Sequence, residues 1–394
     1  MTVVEEVRRR FARDGVPATP AAVVAAVRQR PEAAELGGAE LLRLADRVHS
    51  DLVGAGPLGP LLAEPEVTDV LLNGDEVWLD RGNGLERAPV AVGGREGVRR
   101  LAQRLAAAGG RRLDDGCPWV DVRLADGTRL HAILPPIAAT GPYLSFRTFR
   151  QRPFSVADLV ATGTVDEPVA AMLAAVVAAR LAYLVTGGTG SGKTTMLGAL
   201  LSLVPANERI VLVEDAAELR PAHAHVVALQ ARTSNVEGSG AVELRDLVRQ
   251  ALRMRPDRLV VGECRGAEVV DLLAALNTGH EGGAGTLHAN TPTDVPARLE
   301  ALGLLGGLPR IALHAQVAAA LQVVLHLRRA GGRRSLEEIC LLTPAGRDRL
   351  VTAVPVWHRD TGRGAAAPEL ARMLGVRDVA VPGLLRGSAA GGSR

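Results

Sequence analysis

An apolar run, LAYLV (181–185), passes directly into TGGTGSGKTT (186–195), and no other stretch of the chain constrains its fold so strongly. The spacing Gly187-x4-Gly192-Lys193-Thr194 is that of a phosphate-binding loop set between a strand and a helix. Glycines let the backbone wrap an anion with its N–H groups turned inward, and the helix starting near Lys193 adds the positive end of its dipole. The run Gly187, Gly188, Thr189, Gly190, Ser191, Gly192, Lys193, Thr194 and Thr195 is therefore expected to cradle the phosphates of ATP. In that arrangement Lys193 reaches the β/γ-phosphates and the Thr194 hydroxyl holds Mg²⁺.

A loop of this kind sits on a parallel sheet, and the surrounding sequence supplies one. The segments LAYLVTG, RIVLVED, HVVALQA, RLVVGE and GAGTLHAN are apolar without two-residue alternation, the pattern of strands buried on both faces. They alternate with longer helices over residues 153–345, which predicts an α/β, P-loop domain. Aromatic residues make up only 2% of the chain, so alanine, valine and leucine must build its core. The segment VAAMLAAVVAARLAYLV (169–185) is short for a bilayer and carries Arg180. It reads as a buried helix followed by the strand that enters the loop.

Other regions have different textures. Residues 1–50 carry apolar positions at helical spacing, among them Val23, Val27, Leu41, Leu44 and Val48, before GAGPLGPLL (54–62) breaks the pattern. Over residues 51–152, VTDVLLNG, EVWLDRGNGLERAPV and VDVRLADGTRLHAILPP alternate apolar and polar residues around glycine turns, with one helix, GVRRLAQRLAAAGG, between them. This predicts an α+β domain with an antiparallel sheet. RQRPFSVADL (150–159) reads as a linker in which Pro153 is the stiff point and Ser155 caps a helix. Residues 346–394, rich in Gly, Arg and Ala and ending in GSAAGGSR, are expected to form a partly disordered tail.

Charge excludes some partners. The 46 basic residues are answered by 43 acidic ones, a net charge of +3, and with few aromatic platforms no direct nucleic-acid contact is expected. Cys117, Cys264 and Cys340 lie far apart, so neither a disulfide framework nor a four-thiolate zinc site is expected. The opening MTVVEEVRRR lacks an apolar core, so the chain is expected in the cytoplasm.

Four further groups point at the loop. In RLVVGE (258–263) the strand ends in Glu263, placed either to accept a proton from water or to hold the water shell of Mg²⁺. In RIVLVEDAAEL (209–219), Glu214, Asp215 and Glu218 follow a strand, where they line a ligand crevice or enrich a helix start in acid. GAGTLHAN (283–290) puts His288 after a strand, and His280 lies in the glycine-rich stretch before it. Arg232, Arg245, Arg249, Arg253, Arg255, Arg258 and Arg265 cluster between the acidic strands, and one or two of them are candidates to act on a neighbouring subunit's site.

The order TGGTGSGKTT, RIVLVEDAAEL, RMRPDRLVVGECRG and NTGHEGGAGTLHANT resembles the secretion ATPases of type II and type IV systems. ARTSNVEGSGAVELRDLVRQALRMRPDRLVVGE (231–263) is most similar to the tight-adherence (Flp) pilus branch, the TadA/CpaF-like ATPases. The resemblance covers residues 50–345 and implies a RecA-like core behind a PAS-like amino-terminal domain. It further implies a hexamer at the cytoplasmic face of an inner membrane, working with platform proteins there to drive pilin assembly or export. ATP would bind between the two domains. By position Arg232, Arg249 and Arg253 match arginines near the family's subunit interface, and Arg147 and Arg150 would reach the nucleotide from the amino-terminal domain. The chain departs from the pattern in the extra glycines of GGAG (282–285), in Cys264 where a β-branched residue is usual, and in lacking the tetra-cysteine zinc module of many type II members. A conjugation or DNA-export motor, and an ATP-binding scaffold with little turnover, stand as alternatives.

Overall fold

The two strand textures of the sequence become two sheets. The computed structural model describes residues 6–7, 10–11, 13, 19–31, 36–82, 84–148, 153–232 and 240–386. The chain divides into two compact units, Met1–Gln151 and Arg152–Arg394.

In the first unit, β1 (Asp69–Asn73), β2 (Glu76–Asp80), β3 (Leu85–Ala88), β4 (Trp119–Arg123), β5 (Arg129–Ile133) and β6 (Tyr143–Arg147) form an antiparallel sheet of order β3-β2-β1-β6-β5-β4. Their alternation turns Val70, Leu72, Val77, Leu79, Leu130, Leu144 and Phe146 to one side. There they share a core with Val98, Leu101 and Leu105 of the helix Gly94–Ala108. Ahead of the sheet, the helices Pro20–Arg28 and Gly38–Val53 bury Val23, Val27, Leu41, Ala45 and Val48 in a separate small core. The second helix ends at Gly54, the first residue of GAGPLGPLL.

The second unit opens with Ser155 as the N-cap of the helix Val156–Ala161, in a capping box with Asp158. Its sheet contains β7 (Tyr183–Gly187), β8 (Ile210–Glu214), β9 (Val226–Gln230), β10 (Arg258–Cys264) and β11 (Ala284–Leu287). It continues with β12 (Val323–Ala330), β13 (Arg333–Ala345), β14 (Leu350–His358) and β15 (Gly362–Arg363), in the order β15-β14-β13-β12-β7-β11-β10-β8-β9. The strands from β12 through β9 are parallel and those from β12 to β15 antiparallel. One face packs on the helices Glu167–Ala178, Lys193–Leu201 and Ala367–Val376, the other on Leu244–Ala251, Glu268–Leu276, Val295–Leu305 and Arg310–Ala320. This three-layer architecture is the RecA-like α/β core. Among the described residues no helix is long and apolar enough to cross a membrane.

The expected tail from 346 onward requires correction. β14 continues the sheet, and Trp357, Ala367, Leu370, Leu374 and Leu385 are buried in the main core. The ordered part is apolar: LVTAVPVWH of β14 is a β-branched strand, and the last helix turns Leu370 and Leu374 into the core. The terminal GSAAGGSR falls outside the described residues.

At the edge where the parallel strands begin, Arg258 is almost completely buried, with 1% of its surface exposed. Its Nε lies 2.6 Å from Glu208 Oε2, and Arg180 Nη1 lies 2.9 Å from the other carboxylate oxygen. Arg258 also donates to the carbonyls of Gly282 (3.3 Å) and Val177 (3.2 Å). Charge and hydrogen bonding are satisfied together, as burial of a guanidinium demands.

Candidate functional site

β7 leaves the sheet at Gly187, whose φ of +142° suits glycine. A Cβ there would stand 2.3 Å from the Leu327 carbonyl oxygen of β12 and 2.7 Å from Ser191 Oγ, so only glycine lets the chain turn between them. Gly190 and Gly192 take left-handed conformations, and Gly192 leads into the helix that starts at Lys193. Gly188, Thr189 and Gly190 are exposed, whereas Ser191 is buried and its Oγ has no hydrogen-bond partner. Thr194 is half-buried and Thr195 exposed. Backbone amides, a helix start and a buried hydroxyl around one open loop fit a phosphate chain.

Lys193 is buried and folded onto the loop, its Nζ donating to the carbonyls of Gly187 (3.1 Å) and Gly188 (2.9 Å). The same nitrogen lies 3.5 Å from His288 Nδ1. Burial holds the lysine below its ordinary pKa, and the Glu263 charge opposes that fall. His288 is also held low, first by burial and then by Lys193. With Nδ1 accepting from Lys193, the ring proton stays on Nε2, the nitrogen 2.6 Å from Glu263 Oε1. That short approach lacks hydrogen-bond alignment, since Oε1 is otherwise buried without a partner, and we read it as an electrostatic contact. Glu263 Oε2 accepts from Arg265, whose other terminal nitrogen lies 3.8 Å from Asp215. β7, β10 and β11 thus deliver Lys193, Glu263 and His288 to one place at the carboxyl edge of the sheet, where ligands of such sheets bind.

Glu214, at the end of β8, is buried, and its Oε1 accepts from the backbone N–H groups of Glu218 and Leu219, both at 3.0 Å. Gly262 makes room for it, since a Cβ there would lie 2.6 Å from Glu214 Cγ. The carboxylate therefore organises the turn after β8 and lies against Gly262, the residue before Glu263. The added glycines of GGAG have a packing cause. A Cβ on Gly282 would strike Arg258 Nη1 at 1.9 Å, and one on Gly283 would strike Leu276 Cδ2 at 2.4 Å. Cys264 is buried, and that burial raises its thiol far above the usual range, so it acts as a small apolar residue.

The other candidates have other surroundings within their own units. Arg245 and Arg249 both pair with Asp271, at 2.7 and 2.9 Å. Arg232 donates to the Gly240 carbonyl at 2.7 Å, and Arg253 is exposed. Arg258 belongs to the opposite edge of the sheet, and His280 Nδ1 lies 3.2 Å from the Ala275 carbonyl oxygen. Arg147 pairs with Asp69 within the first unit, and Arg150 falls outside the described residues. One loop neighbour is absent from the sequence reading: Arg334 of β13 donates through Nε to the Gly190 carbonyl at 3.0 Å. Its signal was RRAGGRR (328–334), a glycine hairpin turn flanked by arginine pairs.

Comparison with known proteins places the chain among relatives. The chain is 57% identical over 347 residues to a putative conjugal transfer protein of Mycobacterium tuberculosis, covering 86% of this chain and 98% of that one. It is 31% identical over 284 residues to a probable conjugal transfer protein TrbB of Sinorhizobium fredii, covering 71% and 84% respectively. In fold it is similar to the pilus retraction motor PilT with bound ADP, with a TM-score of 0.52 and 22% identity over 74% of this chain and 83% of that one. The profile of the type II/IV secretion system proteins matches residues 51–352. The chain therefore belongs to the type II/IV secretion system protein family.

Proposed function

We propose that this chain is the ATP-hydrolysing subunit of an oligomeric motor that drives Flp-type pilin assembly or substrate export. The observation that carries the reading is that His288 links Lys193 and Glu263 beside a glycine-lined loop, its Nδ1 3.5 Å from Lys193 Nζ and its Nε2 2.6 Å from Glu263 Oε1. Lys193 holds two loop carbonyls that a phosphate replaces, so its charge is available to the β/γ-phosphates without rebuilding the loop. The Thr194 hydroxyl, and Glu263 through water, would hold Mg²⁺, which would supply charge neutralisation on the phosphates. Glu263 or Glu214 orients the attacking water, and Glu263 is the one in contact with His288. His288, neutral and touching both Lys193 and Glu263, senses whether the phosphate chain is complete. Catalysis is then chiefly positioning and electrostatics.

Arg147, Arg232, Arg249 and Arg253 are the candidates to complete the site across a subunit boundary, in a hexamer of the kind the resemblance implies. Such a motor works at the cytoplasmic face of an inner membrane, on platform proteins of a pilus or secretion system. The test is Lys193→Ala in a phosphate-release assay on full-length protein, where turnover should fall at least about 100-fold with melting temperature retained. Turnover like the wild type would sink the proposal.

A second reading, a conjugation or DNA-export motor, is favoured by the names of the relatives. It requires nucleic-acid binding that weakens steeply with salt. A gel shift with single- and double-stranded DNA at moderate salt separates the two, and we expect no shift.

A further inference from the structure

The hairpin of β12 and β13 carries charge that the proposed chemistry leaves unused. β12 runs beside β7 as far as Leu327, opposite Gly187, so the hairpin projects beyond the sheet where the phosphate loop begins. Arg329 and Arg334 face each other directly across the ladder, which sends both side chains out on one face. That face meets the loop. Arg334 Nε donates to the Gly190 carbonyl at 3.0 Å. A Cβ on Gly192 would lie 3.2 Å from Arg334 Cδ, and one on Gly190 would lie 3.2 Å from Arg329 Nη1. Two guanidinium groups therefore pack against the glycines that shape the cradle.

We propose that Arg334 is a positioning residue for nucleotide phosphate, acting in cis through the Gly190–Ser191 peptide, with Arg329 as its companion charge. The Gly190 oxygen and the Ser191 N–H belong to one planar trans unit and point in opposite directions. A guanidinium on the oxygen fixes it on the outer side of the loop and commits the N–H to the other side. It also polarises the unit, which strengthens that N–H as a donor to an anion. At present the N–H makes only a long bond, 3.4 Å, to the Gly188 carbonyl, a partner that a phosphate oxygen outcompetes. Arg329, packed over Gly190, raises the local positive potential. The ligand class is the polyphosphate of a nucleoside di- or triphosphate, so the inference rests on reading the loop as a nucleotide site. It adds that the antiparallel extension of the sheet helps to set nucleotide affinity.

The test is titration of a fluorescent ADP analogue with Mg²⁺ into full-length protein, comparing wild type with Lys193→Ala, Arg334→Gln, Arg334→Lys and Arg333→Gln. Arg334→Gln should raise the dissociation constant about tenfold without lowering the melting temperature, and Arg334→Lys should recover part of the loss. Arg333→Gln, exposed on the opposite face of the same turn, should bind like the wild type and so separates the loop contact from general loosening of the hairpin. Wild-type affinity in Arg334→Gln while Lys193→Ala has lost binding overturns this inference and leaves the nucleotide reading intact. Equal losses in Arg333→Gln and Arg334→Gln also overturn it. No binding by the wild type overturns the nucleotide reading, and the inference falls with it.

Discussion

The two edges of the parallel sheet hold the same kinds of buried charge in opposite conditions. Where the strands begin, Arg258, Arg180 and Glu208 form a closed group whose ionic and carbonyl partners are all protein. Where they end, Lys193 is held by carbonyls of a loop that is itself open, Ser191 Oγ is buried without a partner, and burial pushes Lys193 and His288 towards their neutral forms. Buried charge alone therefore does not mark a functional site. What marks it is charge whose partners a ligand can replace.

The comparison breaks if the first edge tolerates loss of its charge. Arg258→Ala leaves Glu208 partly uncompensated and frees the Gly282 and Val177 carbonyls, so it should cost about 3–5 kcal/mol of stability. Arg180 remains on Glu208 and draws the value towards the lower end. Denaturant unfolding measures it, and a loss below about 1 kcal/mol would show that the closed group holds nothing together. At the second edge Glu263→Gln should behave in the opposite way. Turnover should fall about 100-fold, near 2.7 kcal/mol in barrier, with stability hardly moved. An unchanged rate of phosphate release would favour a scaffold that binds ATP without using it.

How much of this contrast was legible depended on how local each signal was. The strands β7 to β11 were readable because a continuous apolar run is a short-range pattern. Ser155 and the loop glycines were readable for the same reason. Glu214, Glu263 and His288 could be named from their positions at strand ends, since the topology of a parallel sheet brings such ends together. The partners of the arginines were not readable. Arg249 meets Asp271 only because two helices pack, and Arg334 reaches Gly190 across 144 residues of sequence. β14 carries its own apolar, β-branched signal in LVTAVPVWH, and it was missed because the Gly-, Arg- and Ala-rich pieces around it set the reading of the whole tail.

Gly262→Ala sharpens the comparison from inside the site. The new Cβ would lie 2.6 Å from Glu214 Cγ, so the carboxylate must shift and its bonds to the Glu218 and Leu219 N–H groups weaken. Turnover at saturating ATP should fall about tenfold, with about 1 kcal/mol lost in stability. Full activity would mean that the placement of Glu214 does not matter to the chemistry, leaving Glu263 alone in that role.

The smallest effect lies at His326 on β12, which stands opposite Thr186 at the start of the open edge, is 8% exposed and has Nδ1 3.0 Å from Thr186 Oγ1. Burial lowers its pKa below the ordinary 6.5; Glu338, Glu337 and Asp294 and a backbone hydrogen bond with Asn290 pull upward without compensating. In the interval between the depressed native value and the ordinary one, the unfolded chain carries a proton that the folded chain lacks. Stability must therefore rise with pH through that interval and fall as pH drops through it. His326→Gln keeps a group able to bond Thr186 but cannot titrate, so it should flatten the part of the melting-temperature profile just below pH 6.5. Parallel profiles for the two proteins would show that the buried ring does not feel its surroundings in this way. A flattened one would place a measurable proton cost on β12, where burial of the ring outweighs the partners around it.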